Sequence, residues 1–187
     1  MKRTLITLIS LLAFFQTALP AKISKEYYPN GKVKFEYYYE HGKKNGISTE
    51  YYPNGKIKAQ WRFKDGILEG ISTEYDENGI KVAEITFKNG RQEGLTKRYE
   101  KGLLKFEMNY RNGKIDGIVK EYENEKLKAE WRYKNGIKEG KSIVYYPDGK
   151  KRYELMYHND KLNGITKEYF KNGNLKAEWH YTDGVLD

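Results

Sequence analysis

The sequence predicts an all-β fold, an elongated single-layer antiparallel meander of tandem β-hairpin repeats. A stretch of 23 or 24 residues recurs along most of the 187-residue chain, which is the signature of a β-repeat array. Within each copy, apolar and polar residues alternate as they do in half-buried strands. The chain also has 18 tyrosines and 18 glycines, which favour strands and turns respectively.

Residues 1–21 have the layout of a secretory signal peptide. The basic start Met1–Arg3 precedes an apolar run, Leu5–Phe15, and small residues with a proline follow up to Ala21. The apolar run is too short to span a bilayer comfortably. We expect cleavage after Ala21, with Ala18 as the alternative site and an uncleaved anchor as a third reading. The protein is therefore expected to be exported from a bacterium, to the periplasm, the cell surface or the medium.

Seven repeats are expected to fill the rest of the chain. Each copy of an array packs only against its neighbours, so the chain needs no single compact core. The function is then expected to belong to the array. The predicted repeat bounds are 22–45, 46–69, 70–93, 94–116, 117–139, 140–163 and 164–187.

Two strands are predicted in each repeat, and the second repeat shows why. Strict alternation of apolar and polar residues marks one packed face and one solvated face. We therefore expect antiparallel strands at about 46–52 and 56–64, with their apolar side chains together on one face. Those side chains are Ile47, Thr49 and Tyr51 in the first strand, and Ile57, Ala59, Trp61 and Phe63 in the second.

A hairpin turn is predicted between the two strands of each repeat. Pro53-Asn54-Gly55 favours a three-residue loop in which Gly takes a left-handed conformation and forms a G1 bulge. This register pairs Tyr51 with Ile57. Repeats four and five are one residue shorter, and two-residue loops would keep their facing pattern. Those loops are Lys101-Gly102, with Tyr99 opposite Leu104, and Asn124-Glu125, with Tyr122 opposite Leu127.

A second turn, which we call the link turn, is predicted at the end of each repeat. Most link turns read Asn-Gly or Asp-Gly, the strongest short hairpin signals. A plain two-residue turn would place Ile71 on the face away from the other apolar residues, so we expect a longer loop or a bulge. The meander would contain about 14 strands and run on the order of 65 Å. The link turns are His41-Gly42, Asp65-Gly66, Asn89-Gly90, Asn112-Gly113, Asn135-Gly136, Asn159-Asp160 and Asp183-Gly184.

Three columns of large side chains appear when the repeats are aligned. The tyrosine column is Tyr27, Tyr51, Tyr75, Tyr99, Tyr122, Tyr145 and Tyr169. The aromatic column is Tyr39, Phe63, Phe87, Tyr110, Tyr133, Tyr157 and Tyr181. The tryptophan column is Tyr37, Trp61, Ile85, Met108, Trp131, Leu155 and Trp179.

We expect the three columns to stack into one continuous aromatic stripe on a single face. In one interpretation the stripe is simply the core of a narrow, curled sheet. In the other, the sheet cannot cover all of its apolar face, and the remainder is a binding groove. The candidate binding face is represented by Tyr51, Trp61, Tyr122, Trp131, Tyr169 and Trp179.

The opposite face is expected to be charged. The net charge of +9 is spread over Lys/Glu alternations, which suits a solvated surface or a weak affinity for anionic lipid, glycan or nucleic acid. Arg98 opposite Lys105 is an unfavourable exception, and Ile80–Val82 breaks the facing pattern. These irregular middle repeats mark either a specific partner site or a bulge without function. The expected cross-strand pairs are Glu26–Lys34, Glu50–Lys58, Glu121–Lys128 and Glu168–Lys176.

No constellation of catalytic residues is visible in the sequence. The absence of cysteine excludes disulfides and thiolate metal sites. His41, His158 and His180 are far apart and share no metal-ligand spacing. No phosphate-binding loop, nucleophile elbow or zinc motif occurs. We expect a protein that is not an enzyme, with no catalytic residues, no metal site and no cofactor.

The repeat unit resembles the MORN-repeat variant family (MORN type 2), whose members are often labelled toxin-antitoxin system YwqK family antitoxin. Departures from the unit occur at Lys22, Glu125, Lys141 and Asp160. The resemblance implies an elongated antiparallel β-sheet used for protein interaction or membrane association. The antitoxin label implies neutralisation of a toxin by direct binding. The matching residues are Gly46, Tyr51, Tyr52, Gly55, Ile57, Phe63 and Gly66, and again Gly164, Tyr169, Gly173, Leu175, Tyr181 and Gly184.

The expected function is that of an exported, non-enzymatic scaffold that binds another macromolecule through its aromatic face or a turn edge. A protein partner is expected, whether a toxin, an envelope protein or a host protein. One alternative is an antitoxin or immunity protein, and a second is a binder of anionic membrane surfaces. No nucleic-acid partner is expected, and the sequence leaves the oligomeric state open.

Overall fold

The computed structural model describes residues 21–187. The predicted signal peptide, residues 1–21, lies outside the described residues apart from Ala21. All regular structure in the described part is β-strand, and no helix there is long and apolar enough to cross a membrane. The predicted all-β class is confirmed.

One open antiparallel sheet contains all of these strands, and each long strand pairs with the next one along the chain. The second repeat has strands at Gly46–Tyr51 and Ile57–Lys64, as predicted. The long strands are β1 (Lys22–Tyr27), β2 (Val33–Glu40), β4 (Gly46–Tyr51), β5 (Ile57–Lys64), β7 (Gly70–Tyr75), β8 (Lys81–Lys88), β9 (Arg91–Glu100), β10 (Leu103–Arg111), β12 (Gly117–Glu123), β13 (Lys126–Lys134), β15 (Gly140–Tyr145), β16 (Lys151–His158), β18 (Gly164–Tyr169) and β19 (Leu175–Thr182). Short strands follow most link turns: β3 (Lys43–Lys44), β6 (Ile67–Leu68), β11 (Lys114–Ile115), β14 (Ile137–Lys138), β17 (Lys161–Leu162) and β20 (Val185–Leu186).

The hairpin turns have the predicted geometry. In the second repeat the amide of Gly55 donates to the carbonyl of Tyr52 at 2.8 Å, and Gly55 has a φ of 92°. This is the left-handed glycine of a G1 bulge. The shortened turns of repeats four and five are two-residue loops, and they keep the predicted pairs Tyr99 with Leu104 and Tyr122 with Leu127.

A second irregularity, which the sequence pattern did not predict, follows every hairpin turn. Tyr51 pairs with Ile57 as predicted, but Glu50 pairs with Ala59 rather than with Lys58. One residue of the returning strand is therefore left without a partner, as in a β-bulge. The same skip occurs in all seven repeats, at Lys34, Lys58, Val82, Lys105, Lys128, Arg152 and Lys176.

This uniform skip corrects two expectations about the middle repeats. Arg98 pairs with Phe106 and does not oppose Lys105, so the expected like-charge contact is absent from the register. Repeat three follows the common register through Ile80–Val82, with Tyr75 paired with Lys81. The middle repeats are therefore regular in register, and repeats four and five are distinguished by their shortened hairpin turns.

The link turns are two-residue type I′ turns, because both central residues have positive φ. Asp65 and Gly66, for example, have φ values of 51° and 86°. A bulge follows at Glu69-Gly70, where two residues are looped out between the Phe63–Leu68 and Ala59–Glu74 pairs. The expected bulge is present. It does not bring Ile71 to the face of Trp61, because an even number of residues is inserted.

The register assigns every side chain to one of two faces, because paired residues on antiparallel strands point to the same side. Trp61 pairs with Ser48, whereas Tyr51 lies three residues further along the same strand and therefore points the other way. We call the two sides the tryptophan face, which carries the tryptophan and aromatic columns, and the tyrosine face, which carries the tyrosine column. The prediction of a single aromatic stripe is wrong, because the skip after each hairpin turn reverses the side chains.

The tryptophan face is the packed one. Its buried residues are mostly small, since the aromatic rings of one strand lie over serine, threonine or alanine of the next. Trp61 and Phe87 make an edge-to-face contact with ring centroids 6.4 Å apart. The core is therefore a thin layer on one side of the sheet. Its buried members are Ser48, Ser72, Thr96, Val119, Ser142 and Thr166, with Ala59, Ala83, Ala129, Ile85, Met108 and Glu168.

Candidate binding face

The six predicted binding residues do not share one surface. Trp61, Trp131 and Trp179 are half-buried on the tryptophan face. The tyrosines of the set lie on the opposite side of the sheet, and their part in binding stays a prediction. They are Tyr51, Tyr122 and Tyr169.

The glutamates that pair with the alanine two residues before each tryptophan belong to the packed side. Glu121 accepts hydrogen bonds from Nε1 of Trp131 at 2.9 Å and from Nζ of Lys128 at 3.0 Å. Burial would raise the pKa of Glu121, but these two donors outweigh it and lower the pKa. Three predicted charge pairs thus exist, but they cover the tryptophan face instead of forming an opposite charged face. They are Glu50–Lys58 at 2.7 Å, Glu121–Lys128 at 3.0 Å and Glu168–Lys176 at 3.1 Å.

The tyrosine face carries a ladder of tyrosine–glutamate hydrogen bonds along its middle. The hydroxyl of Tyr122 donates to Glu107 at 2.9 Å, and burial together with this carboxylate raises the pKa of Tyr122 to about 12. Each tyrosine of the ladder reaches back one repeat, so the ladder ties repeats together. The other members are Tyr99 to Glu84, Tyr145 to Glu130 and Tyr169 to Glu154.

Lysines form ion pairs with glutamates of the ladder. Lys141 lies 2.9 Å from Glu154, and Lys151 contacts the same carboxylate. Burial would raise the pKa of Glu154, but the two lysines outweigh it and lower the pKa to about 2. These polar groups satisfy one another, so they do not by themselves call for a ligand.

A row of exposed aliphatic side chains runs beside the ladder on the tyrosine face, and we call it the aliphatic row. The exposed fractions of its members lie between 41% and 59%. The alternation of Ile47 with Tyr51 predicted a packed position for Ile47, and this prediction is wrong. One signal was available: Lys141 occupies the same position in repeat six, and a buried position would not suit it. The row consists of Ile23, Ile47, Ile71, Leu95, Ile118 and Ile165.

Basic residues border the aliphatic row along the link turns. Several acidic residues there accept hydrogen bonds from backbone amides, as when Glu93 accepts from the amide of Asn112 at 2.6 Å. An open groove of about 470 Å³ lies between neighbouring link turns and is lined by Lys88, Asn89, Arg91, Glu93 and Asn112. The tyrosine face therefore combines an apolar row with a cationic border.

The exposed side chains of these surfaces are mainly apolar and charged. No group of three or more histidine, aspartate or glutamate side chains within residues 21–187 could hold a metal ion. The exposed His158 contacts Glu139 at 3.1 Å, which gives this histidine a local partner in the link-turn region. A ligand would meet exposed apolar and charged side chains in regular rows.

Comparison with protein families agrees with the repeat structure. The family model described as MORN repeat variant matches residues 22–43, 44–65, 68–89, 138–159 and 162–183. These five segments together cover more than half of the chain. None of them includes the shortened hairpin turns of repeats four and five. No curated protein matches the chain.

Proposed function

Because the chain belongs to the MORN repeat variant family, we propose that it is a non-enzymatic scaffold that binds another protein through the aliphatic row of the tyrosine face. The observation that carries the proposal is the recurrence of an exposed aliphatic residue in six of seven repeats. Lys141 fills the same position in the remaining repeat, so the fold itself does not require an apolar residue there.

The geometry of the row suits an extended partner. Equivalent residues of successive repeats are two strands apart, or about 9.6 Å. Covering such a row would remove apolar surface from water at about 25 cal/mol per Å². Contiguous apolar patches on a soluble protein commonly mark interaction sites. The cationic border would favour a partner that presents carboxylates beside its apolar contacts.

A pair of double variants tests the proposal. Capture of a partner from cell-envelope or host extract should be lost with Ile71→Lys/Ile118→Lys and retained with Ile67→Lys/Ile137→Lys. The control variant adds the same charge at two exposed isoleucines that directly follow link turns. Lysine stands at the equivalent position in other repeats, so the fold should tolerate this change. Equal capture by both variants would refute the assignment of the aliphatic row.

Export to the envelope or beyond is part of the proposal, and it rests on the sequence of residues 1–21. The mature protein should begin at Lys22 or Leu19 and should be found outside the cytoplasm. N-terminal sequencing of protein recovered from fractionated cells checks both points. Protein that remains cytoplasmic with Met1 intact would contradict export.

An antitoxin or immunity role is a special case of the same proposal, in which the bound protein is a toxin. Co-expression with a toxin encoded beside this chain should then protect cells, and Ile71→Lys/Ile118→Lys should abolish protection. Protection that survives this change would place toxin binding elsewhere on the array.

An anionic membrane surface is a second candidate, favoured by the basic residues that border the aliphatic row. Lys64, Lys88, Arg111 and Lys134 are exposed along that border. Binding to phosphatidylserine vesicles should be present at low salt and should fall steeply as salt is added. Absence of binding at low salt would remove this candidate.

A further inference from the structure

The hairpin-turn edge of the array is tied together by tyrosine hydroxyls, except in its middle. Tyr52 donates to the carbonyl of Tyr75 in the next repeat at 2.8 Å, and Tyr146 donates to the carbonyl of Tyr169 at 2.8 Å. In repeats three, four and five the equivalent positions are Asp76, Glu100 and Glu123, whose carboxylates cannot donate such a bond. The hairpin turns of repeats four and five are also one residue shorter than the others.

Two neighbouring grooves lie along this part of the edge. One groove, of about 280 Å³, lies between the hairpin turns of repeats four and five, with Leu103, Leu104 and Tyr122 in its lining. The other, of about 310 Å³, lies between repeats five and six and is lined by apolar groups that include Leu127 and Pro147. Both grooves share Glu123 and Asn124 as a common wall.

The charges around the grooves are predominantly positive. Lys128 is engaged by Glu121, and Lys105 lies 3.8 Å from Glu100. Lys126 and Arg152 have no carboxylate partner within 4.0 Å in residues 21–187, and the guanidinium of Arg152 lies 5.4 Å from the ring centre of Tyr146. The next groove along the edge is lined by Lys150 and other residues of repeats six and seven. A ligand that runs along these grooves toward repeat six therefore meets increasing positive charge.

We propose that these paired grooves bind an extended, proline-containing peptide segment that ends in carboxylates. Successive grooves are one repeat apart, which is two strand spacings or about 9.6 Å. A polyproline II helix repeats every three residues at about 3.1 Å per residue, so side chains three apart recur on one side about every 9.3 Å. Two prolines at that spacing would enter the two grooves, whose tyrosine and leucine lining is typical of polyproline recognition.

The direction of the peptide follows from charge complementarity. The carboxylates face Lys126, Arg152 and Lys150, and the prolines lie over the equivalent residues Leu104 and Leu127. This site is on the opposite edge of the array from the link turns, and it does not involve the aliphatic row. The Ile71→Lys/Ile118→Lys variant should therefore bind the peptide as well as the unmodified protein does, whatever becomes of the proposed scaffold function.

Fluorescence anisotropy with a synthetic peptide tests the inference. The probe is a labelled dodecapeptide with prolines at every third position and three glutamates at its C-terminal end, and the comparison peptide has the same composition in scrambled order. The full-length protein should bind the probe more tightly than it binds the scrambled peptide. Absence of that preference would overturn the proposal.

Two variants and a matched control locate the site. Leu103→Lys should weaken binding about five-fold while preserving the fold, because lysine occupies the equivalent position in four other repeats, at Lys32, Lys56, Lys126 and Lys150. Arg152→Glu should weaken binding by a similar factor. Lys34→Glu is the matched control, because Lys34 occupies the position of Arg152 in the first repeat, which has a full-length turn. Lys34 lies over the ring of Tyr28, and its replacement should leave peptide binding unchanged. Binding that is insensitive to Leu103→Lys and Arg152→Glu, or equally sensitive to Lys34→Glu, would place the peptide elsewhere.

Discussion

Each tyrosine hydroxyl of the tyrosine-face ladder links two repeats through a carboxylate. Tyr122 and Glu107 lie 15 residues apart in sequence, yet the hydroxyl donates to the carboxylate at 2.9 Å. A charge-assisted hydrogen bond of this kind is about twice as strong as a neutral one. Cohesion of the array therefore accounts for the four tyrosines of the ladder, Tyr99, Tyr122, Tyr145 and Tyr169, and a ligand is not needed to explain them.

Glu154 should make the protein sensitive to acid over a defined range. Its pKa is about 2 in the folded protein and about 4.5 as the reference value. A carboxyl group with a lowered folded pKa stabilises the protein above the unfolded value, and this contribution is lost as pH falls toward the folded value. Glu154→Gln should therefore flatten the loss of stability between pH 4.5 and 2 in urea unfolding. Glu178→Gln is the control, because Glu178 forms an exposed ion pair with Lys167 at 3.3 Å. An unchanged pH dependence in Glu154→Gln would contradict the account.

Trp131 should behave as a core residue. Its indole N–H donates to Glu121 at 2.9 Å, and Nζ of Lys138 lies 4.3 Å from its ring centre. Trp131→Ala should cost about 3 kcal/mol of unfolding free energy, because it removes packed aromatic surface. Trp131→Phe should cost about 1 kcal/mol, because it removes mainly the hydrogen bond. Urea denaturation measures both, and a loss below about 0.5 kcal/mol for Trp131→Ala would indicate an exposed ring.

The turns were the elements most fully predicted from the sequence. Asn-Gly and Pro-Asn-Gly specify turn types through positive φ, and these local signals do not depend on the rest of the fold. The same reasoning gave the correct two-residue loops at Lys101-Gly102 and Asn124-Glu125. The type of each turn can therefore be predicted from the sequence of a single repeat.

The faces of the strands were not predicted, and the reason lies in the skip after each hairpin turn. Apolar residues alternate without interruption from Ile57 through Phe63, so the pattern gives no sign that Lys58 lacks a partner. A skip of one residue reverses every side chain beyond it. The recurring small residue opposite the tryptophan column, such as Ser48 or Ser72, was the available clue, because close packing beneath a large ring requires a small neighbour.

Two turn residues should respond differently to replacement by glycine. Glu125 and Asp160 both adopt left-handed φ, at 63° and 64°, where most repeats have glycine. Glu125→Gly should raise stability by about 0.5–1 kcal/mol, because it relieves strain in the turn. Asp160→Gly should raise stability by less, because it also removes the hydrogen bond that the Asp160 carboxylate accepts from the amide of Lys138 at 2.6 Å. Thermal unfolding compares the two, and a stability loss in Glu125→Gly would show that its side chain has an unrecognised role.

The molecule as a whole is a one-dimensional stack, in which each hairpin contacts the hairpins beside it. Stability in such arrays is approximately a sum of repeat terms and nearest-neighbour interface terms. The aliphatic row and the paired grooves are also properties of the stack, since each needs several repeats in register. Neither could be predicted from one repeat, because both depend on which face the register exposes.

Removal of the last repeat should shorten the array without unfolding it. A chain that ends at Asn163 should keep the tyrosine–glutamate bonds of the remaining repeats and lose only those of Tyr169 and Glu168. Its urea m-value should fall by roughly one-seventh, in proportion to the surface exposed on unfolding. Hydrogen exchange should show protection retained in repeats two to five. Global loss of protection would mean that the array folds as a single indivisible unit.

Thiol labelling of two neighbouring positions tests the assignment of faces most directly. The chain has no cysteine, so Ile71→Cys and Ser72→Cys each provide a single reporter. Ile71 is 59% exposed on the tyrosine face, and Ser72 is 1% exposed beneath the rings of the tryptophan face. The Ile71→Cys protein should react with a maleimide at nearly the rate of a free thiol, and the Ser72→Cys protein should react far more slowly under native conditions. The reverse order would mean that the strands pair without the skip, and the two-face structure described here would be wrong.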